Sequence, residues 1–211
     1  MTQDGRREEI EVPQRYADFL QQKLTPPRLQ HSLGVMQVMQ ELTPIYALDP
    51  TRARLAGLLH DAARELPAER LLALAHEAGI PIEHEADTHP IYLHGPVGAH
   101  IVSTALYVDD PIILNAIAAH TDWHDDGADE ATLVMCLRCS DILAPVRPWL
   151  GMKKLGEFVY AGRIQEATLL RRGWLIEYFE EGQIPVHPNL RKQFLAHMAE
   201  WNVEPDFFER W

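Results

Sequence analysis

Three observations on the 211-residue chain predict an all-α fold in a single domain. Apolar residues recur at helical spacing in segment after segment, and no run of strict apolar–polar alternation is long enough to argue for a sheet. Asp-Pro pairs start segments at Asp49-Pro50 and Asp110-Pro111, and glycines stop them at Gly79 and Gly182. Apolar residues make up 46% and charged residues 24%, the balance of an ordinary globular domain with a sizeable core.

The elements follow in order. A short first helix is expected over Tyr16 to Gln22, ended near Pro26-Pro27. A second, Arg28 to Glu41, carries apolar positions at Leu29, Leu33, Met36 and Met39. The third opens on Asp49-Pro50 and runs through His60 to about Arg64, and Pro67 to Ala78 forms a fourth. The stretch from Ile80 to Leu93 is the longest irregular connection, rich in Pro, His and acidic residues, and connections of that length are often functional or flexible. Helical patterning resumes over Gly95 to Tyr107, then from Asp110-Pro111 to His120, then from an Asp129 cap to Ala144 before Pro145. Leu150 to Tyr160, Ile164 to Glu181 and Pro188 to Asn202 complete the set, followed by the aromatic tail Phe207-Phe208-Glu209-Arg210-Trp211. The organisation expected is an N-terminal tail over 1–15, a main domain over 16–182 and a short C-terminal helical extension over 183–211.

Bulk charge narrows the function. A formal net charge of −12 argues against a broad surface that grips DNA or RNA phosphates. A nucleotide substrate stays open, because a small pocket can be locally positive around metals. No apolar stretch reaches membrane-spanning length, and the first residues lack the apolar core of a signal peptide. A cytoplasmic enzyme of bacterial type, with no membrane partner, is the expectation. The two cysteines, Cys136 and Cys139, lie one helical turn apart without a second pair at zinc-site spacing, so they read as small buried apolar residues.

The chemistry starts at His60-Asp61, which closes the apolar run Leu55-Ala56-Gly57-Leu58-Leu59. A carboxylate and an imidazole at the inner end of such a helix need compensation. A divalent metal compensates both, since both are good ligands. Further donors sit in equally apolar surroundings. His31 lies in Arg28-Leu29-Gln30-His31-Ser32-Leu33-Gly34-Val35, in the first turn of its helix. His94 lies in Leu93-His94-Gly95-Pro96-Val97-Gly98-Ala99, where glycines permit close backbone approach. His120 ends Ala118-Ala119-His120-Thr121, and Asp141 sits in Cys139-Ser140-Asp141-Ile142-Leu143.

This ordered pattern, H…HD…H…H…D, resembles the HD-domain metal-dependent phosphohydrolases, whose fold is a helical bundle. The motifs R-x-x-H-S-L-G-V, L-L-H-D, L-H-G-P-V-G-A, A-x-x-H-T and S-D-I-x-A-P-x-R, in that order, resemble the YqeK-like subgroup. That subgroup hydrolyses diadenosine tetraphosphate symmetrically to two ADP. The resemblance covers roughly Tyr16 to Gly182.

The resemblance implies that His31, His60, Asp61 and Asp141 hold one metal and that His94 and His120 hold a second, with Asp61 bridging. Iron is the usual pair in that family, and mixed N/O donors also admit manganese, cobalt or zinc. Two metals lower the pKa of a bridging water and clamp phosphoryl oxygens, so no Ser or Cys nucleophile is needed. Asp61 and Arg64 are implied in catalysis, and Arg28, Arg64, Thr121 and Arg147 in contacts to the nucleotide. Arg64 stands where relatives commonly carry lysine, which keeps the charge. Asp122-Trp123-His124-Asp125-Asp126 replaces the usual Thr-Gly after His120-Thr121, and Ala144 replaces a glutamate. These departures fall outside the six ligand positions.

The remaining polar residues carry less. His76, His84, His89, His100, His187 and His197 match no ligand motif and are expected to be structural, and Leu169-Leu170 with Trp174-Leu175 to be core. Phe207, Phe208 and Trp211 either cover the domain or serve a homodimer interface. The alternatives are an HD phosphohydrolase of a nucleoside mono- or triphosphate, and a metal- or nucleotide-binding regulatory protein with little turnover. Cyclic-di-GMP cleavage is disfavoured because an extended H-H-E…G-Y-P signature is absent. Alarmone hydrolysis is disfavoured because Ala62-Ala63-Arg64-Glu65 lacks an E-D motif.

Overall fold

The computed structural model describes residues 14–82, 89–121, 132–144 and 151–201, and every regular element among them is helical. In chain order these are α1 (Gln14–Lys23), α2 (Pro26–Tyr46), α3 (Pro50–Leu59), α4 (Ala68–Glu77), a 3-10 turn (Pro90–Leu93), α5 (His94–Leu106) and α6 (Pro111–Ala119). Then come α7 (Thr132–Leu143), α8 (Met152–Tyr160), α9 (Ile164–Glu181) and α10 (Pro188–Glu200). The Asp129 cap and the aromatic tail fall outside the described residues. No helix among the described residues is long and apolar enough to cross a membrane.

The two Asp-Pro starts behave as expected. Asp49 accepts from the Arg52 amide at 2.8 Å and Asp110 from the Ile112 amide at 2.9 Å, each with proline at the first helical position. Gly79 takes φ +67°, the left-handed geometry that ends α4. After α9 the left-handed residue is Gln183 (φ 54°) rather than Gly182.

Several boundaries need correction. The second helix runs past its expected end at Glu41 to Tyr46, with Pro44 inside it, and the stretch expected to be irregular to Leu93 ends in the 3-10 turn. Pro26-Pro27 do not end α1; they open α2, where a missing amide hydrogen costs nothing because first-turn amides lack intrahelical partners. His31 therefore lies in the second turn. Likewise α3 stops at Leu59, and residues 60–66 continue as tight turns, with Ala62 bonding back to Leu59, Arg64 to Asp61 and Leu66 to Ala63. Apolar spacing alone does not separate an α-helix from such a run.

The core centres on α2. Val35, Met39 and Leu42 pack with Cys136 and Leu137 of α7, Leu155 of α8 and Leu170 of α9. On another side Met36 joins Leu58 and Leu59 of α3, Val102 of α5 and Ile117 of α6. Each fully buried leucine of this kind contributes about 1.5–3 kcal/mol. Both cysteines are buried and free, as their spacing predicted. Gly57 lets α3 lie against α2 backbone to backbone, since a Cβ there would stand 2.9 Å from Met36 Cα. α10 is tied to α9 by Arg172, fully buried, which donates to Gln193 Oε1 at 3.0 Å and to His197 Nδ1 at 2.6 Å.

Candidate metal centre and its cavity

Three histidines stand just past the end of a helix or 3-10 turn, and each donates Nδ1–H to the carbonyl three residues back. His60 bonds Gly57 at 2.8 Å, His94 bonds Ile91 at 2.5 Å and His120 bonds Ile117 at 2.7 Å. A carbonyl only accepts, so the proton is fixed on Nδ1 and the Nε2 lone pair is aimed inward. Nε2 of His60 is buried with no hydrogen-bond partner. Nε2 of His94 and His120 face each other at 3.1 Å, lone pair against lone pair. A proton or a metal ion shared between them relieves that repulsion.

Asp61, 3% exposed, ties these donors together. Its Oδ2 lies 3.6 Å from His60 Nε2 and 3.9 Å from His31 Nε2. Its Oδ1 lies 3.4 Å from His94 Nε2 and 3.8 Å from His120 Nε2. Two donor groups compact enough to hold a cation result, His31–His60–Asp61 and Asp61–His94–His120. Asp141 from α7 closes the first, 2.8 Å from His31 Nε2 and 3.6 Å from His60 Nε2. The six residues singled out in the sequence thus converge from five separate segments of the chain. The donor set, imidazole nitrogens and carboxylates with an unsatisfied buried Nε2 among them, fits a divalent metal.

Close backbone approach makes the convergence possible. A Cβ on Gly95 would lie 2.7 Å from the Ala118 carbonyl, so only glycine lets α5 start against the end of α6 and bring His94 to His120. Arg138, fully buried in α7, donates Nε–H to the Ala119 carbonyl at 2.9 Å, with Nη2 to the same oxygen, and so fixes the peptide before His120. Glu65 clasps the turn that carries His60 and Asp61 to the start of α2, accepting from the Thr25 amide at 2.5 Å and its hydroxyl at 2.8 Å.

The electrostatics match a cation site. Burial opposes charge on Asp61, yet His60 beside it, with His120 and His94 adding to the effect, holds it well below the usual carboxylate range. Burial works against Asp141 as well, and His31 and His60 hold it down. Complete burial would lower His60, but Asp61 and then Asp141 pull it up to about 9. Burial pushes His120 down to about 4, with His94 and His60 adding to the effect and Asp61 opposing it. Negative charge able to hold a proton on a buried imidazole is charge able to hold a metal in its place.

The centre opens into a cavity of about 340 Å³. Asp61, His94, His120 and Asp141 line it beside Arg28 and Arg64. Arg28 Nη1 reaches Asp61 Oδ2 at 3.3 Å. Thr121 also lines the cavity, its Oγ1 buried without a hydrogen-bond partner. Arg147 and the Asp122–Asp126 segment lie outside the described residues. Sequence reasoning passed over Arg171 and Phe179 of α9, Ile184 and Tyr92, and took Leu175 as core and His89 as structural, yet all six line the same cavity. Arg171 did carry a signal, a charge pair amid Leu169-Leu170 and Trp174-Leu175. Arg138 carried one too, a lone charge in the apolar run from Leu133 to Cys139, whereas nothing in the sequence points to Glu65.

Residues 28–145, more than half of the chain, match the family described as the HD domain. The chain belongs to the HD-domain family. Among relatives of this HD domain, the symmetrical bis(5'-nucleosyl)-tetraphosphatase of Bacillus subtilis (strain 168) is 32% identical over 142 residues, 65% of this chain and 74% of that protein. A probable nicotinate-nucleotide adenylyltransferase/Ap4A hydrolase of Mycoplasma genitalium is 36% identical over 96 residues, 44% of this chain and 26% of that one. A crystal structure of a predicted HD superfamily hydrolase involved in NAD metabolism, from Clostridium acetobutylicum, superposes with a TM-score of 0.84 at 26% identity. It covers 90% of this chain and 99% of its own. The HD domain here is that of a phosphohydrolase.

Proposed function

We propose that this HD phosphohydrolase cleaves dinucleoside tetraphosphates symmetrically, diadenosine tetraphosphate to two ADP. Its metal centre is assigned to His31, His60, Asp61 and Asp141 on one side and to Asp61, His94 and His120 on the other. The carrying observation is the division of Asp61, one oxygen toward His31 and His60 and the other toward His94 and His120. With its oxygens divided in this way, Asp61 would serve as a ligand to a cation on either side. Iron is the assigned metal, with manganese, cobalt and zinc compatible with the same donors. A bound metal pair supplies Lewis acidity toward phosphoryl oxygens and a water nucleophile near neutral pH.

The chain's own side chains do the rest. Arg28 and Arg64 present guanidinium groups to the cavity and take phosphate oxygens bidentately. Thr121 offers its buried hydroxyl to a phosphate oxygen. Arg147 is assigned a further phosphate contact on its motif alone. The active domain is taken as 16–182, with 183–211 as its helical extension. The tetraphosphate is named by similarity to the Bacillus subtilis enzyme.

The test is product analysis of metal-reconstituted protein given diadenosine tetraphosphate beside a panel of mono- and triphosphates. ADP as sole product supports the reading. Phosphate released only from another nucleotide keeps the metal centre and moves the substrate. Binding without turnover across the panel favours a regulatory protein. Arg64→Ala is expected to raise KM about tenfold with metal content unchanged, and metal loss in that variant would show that its role is structural.

A further inference from the structure

The cavity that holds the metal centre is completed by α9, beyond the residues 28–145 matched by the HD family. Arg171, Leu175 and Phe179 line it at four-residue steps, a stripe about 12 Å long at 1.5 Å per residue. The stripe is graded. Arg171 is 5% exposed, whereas Leu175 and Phe179 are half-buried. Tyr92 joins the apolar part, its ring 6.1 Å from that of Phe179 and its hydroxyl bonded to the Pro185 carbonyl at 3.3 Å. Ile184 closes the same side. A ligand complementary to this wall carries negative charge at its inner end and a flat, largely apolar group nearer the mouth.

The charged lining sharpens the class. Three guanidinium groups, Arg28, Arg64 and Arg171, line the cavity beside the carboxylates of Asp61 and Asp141, with Arg28 paired to Asp61. A chain of phosphates offers oxygens to more than one of these guanidinium groups, and an aromatic base suits the wall of Tyr92, Leu175 and Phe179.

We infer that α9 is the nucleoside diphosphate recognition element of this enzyme. Arg171 binds the phosphate on the nucleoside side of the one under attack, and Leu175, Phe179 and Tyr92 receive the nucleoside. The inference rests on the phosphohydrolase reading above for which phosphate is attacked, while the binding it describes is measured without turnover.

Calorimetric binding of ADP and of inorganic pyrophosphate to the metal-loaded full chain tests it, with metal content measured alongside. Arg171→Gln is expected to weaken ADP about tenfold. Phe179→Ala is expected to weaken ADP severalfold and leave pyrophosphate unchanged. Both variants keep the wild-type metal content. The inference is overturned if ADP binds both variants as it binds wild type, or if Phe179→Ala weakens pyrophosphate as much as ADP. Should Arg171→Gln fail to fold, the half-buried Phe179→Ala decides alone. Failure of the tetraphosphate reading is seen separately, as wild-type protein that binds ADP through α9 yet yields none from diadenosine tetraphosphate.

Discussion

The metal-centre side of the cavity and the α9 side differ in how many things hold each side chain in place. On the first, His60, His94 and His120 are each fixed by a carbonyl three residues back, and Gly57 and Gly95 let the helices that carry them touch at the backbone. Arg138 and Glu65 then pin the flanking peptides. On the second, one stripe of a single helix supplies Arg171, Leu175 and Phe179, half-buried toward the mouth. A centre that places several ligands at once needs geometry set from outside the ligands. A wall that receives a flat apolar group needs only area. Substitutions on the two sides should therefore fail in different ways, abruptly at the centre and gradually at the wall.

The largest effect belongs to Asp61→Ala, which removes the one residue common to both donor groups. Metal content is expected to fall to half or less, and turnover to background. Wild-type turnover with unchanged metal, read by elemental analysis beside product release, would refute the assignment. Next comes Gly95→Ala, whose Cβ would stand 2.7 Å from the Ala118 carbonyl and 3.0 Å from Thr121 Oγ1. Neither α5 nor α6 can yield without parting His94 from His120. Overpacking of this kind costs about 1–3 kcal/mol. A Tm lower by several degrees, with one of two metals lost, is the expected pair of readings. Full metal content in a Gly95→Ala protein would show that the approach is not what joins the two histidines.

Arg138→Met probes the same side more gently. It removes the donors to the Ala119 carbonyl but no residue that faces the cavity. Loss of a group that orients a ligand lowers metal affinity about 10–100-fold. Chelator competition at the second metal is the measurement, and partial rescue by Arg138→Lys separates positioning of His120 from bulk loss of core. Unchanged affinity at a lowered Tm would assign Arg138 to folding alone.

The comparison also explains what could be read from the sequence. His60 and Asp61 stood out because they close an apolar run, and His31, His94, His120 and Asp141 became legible beside them through ordered motifs that resemble those of the HD family. Gly95 was legible for the same reason, lying beside such a histidine, whereas Gly57 looked like one more small residue in Leu55-Ala56-Gly57-Leu58-Leu59. The α9 wall was not legible, because apolar residues such as Leu175 and Phe179 at helical spacing carry the same pattern whether they face a core or a cavity. Pro26-Pro27 misled because proline both stops one helix and starts the next. Positioning residues such as Glu65 and Arg138 act across 40 and 19 residues of chain, and no local pattern records that.

The smallest effects lie at the two Asp-Pro caps, far from either side of the cavity in chemistry yet at the root of α3 and α6. Asp49→Ala removes the acceptor for the Arg52 amide and is expected to cost about 1 kcal/mol, with metal content and products unchanged. Asp110 differs because it also pairs with Arg52 at 2.8 Å. That hydrogen bond, slightly opposed by burial and aided by the Ile112 amide, holds the Asp110 carboxyl below its ordinary value. A folded pKa below the unfolded one gives stability that is fully present above the unfolded value of about 3.9 and is lost as pH falls through the folded value. Asp110→Asn keeps a capping oxygen and loses the charge, so its deficit against wild type should be present at neutral pH and vanish in strong acid. Asp49→Ala loses the cap outright and should retain a deficit at both. Parallel deficits across pH would show that the Arg52 pair contributes nothing, and that both helices are held at their starts by the capping oxygen alone.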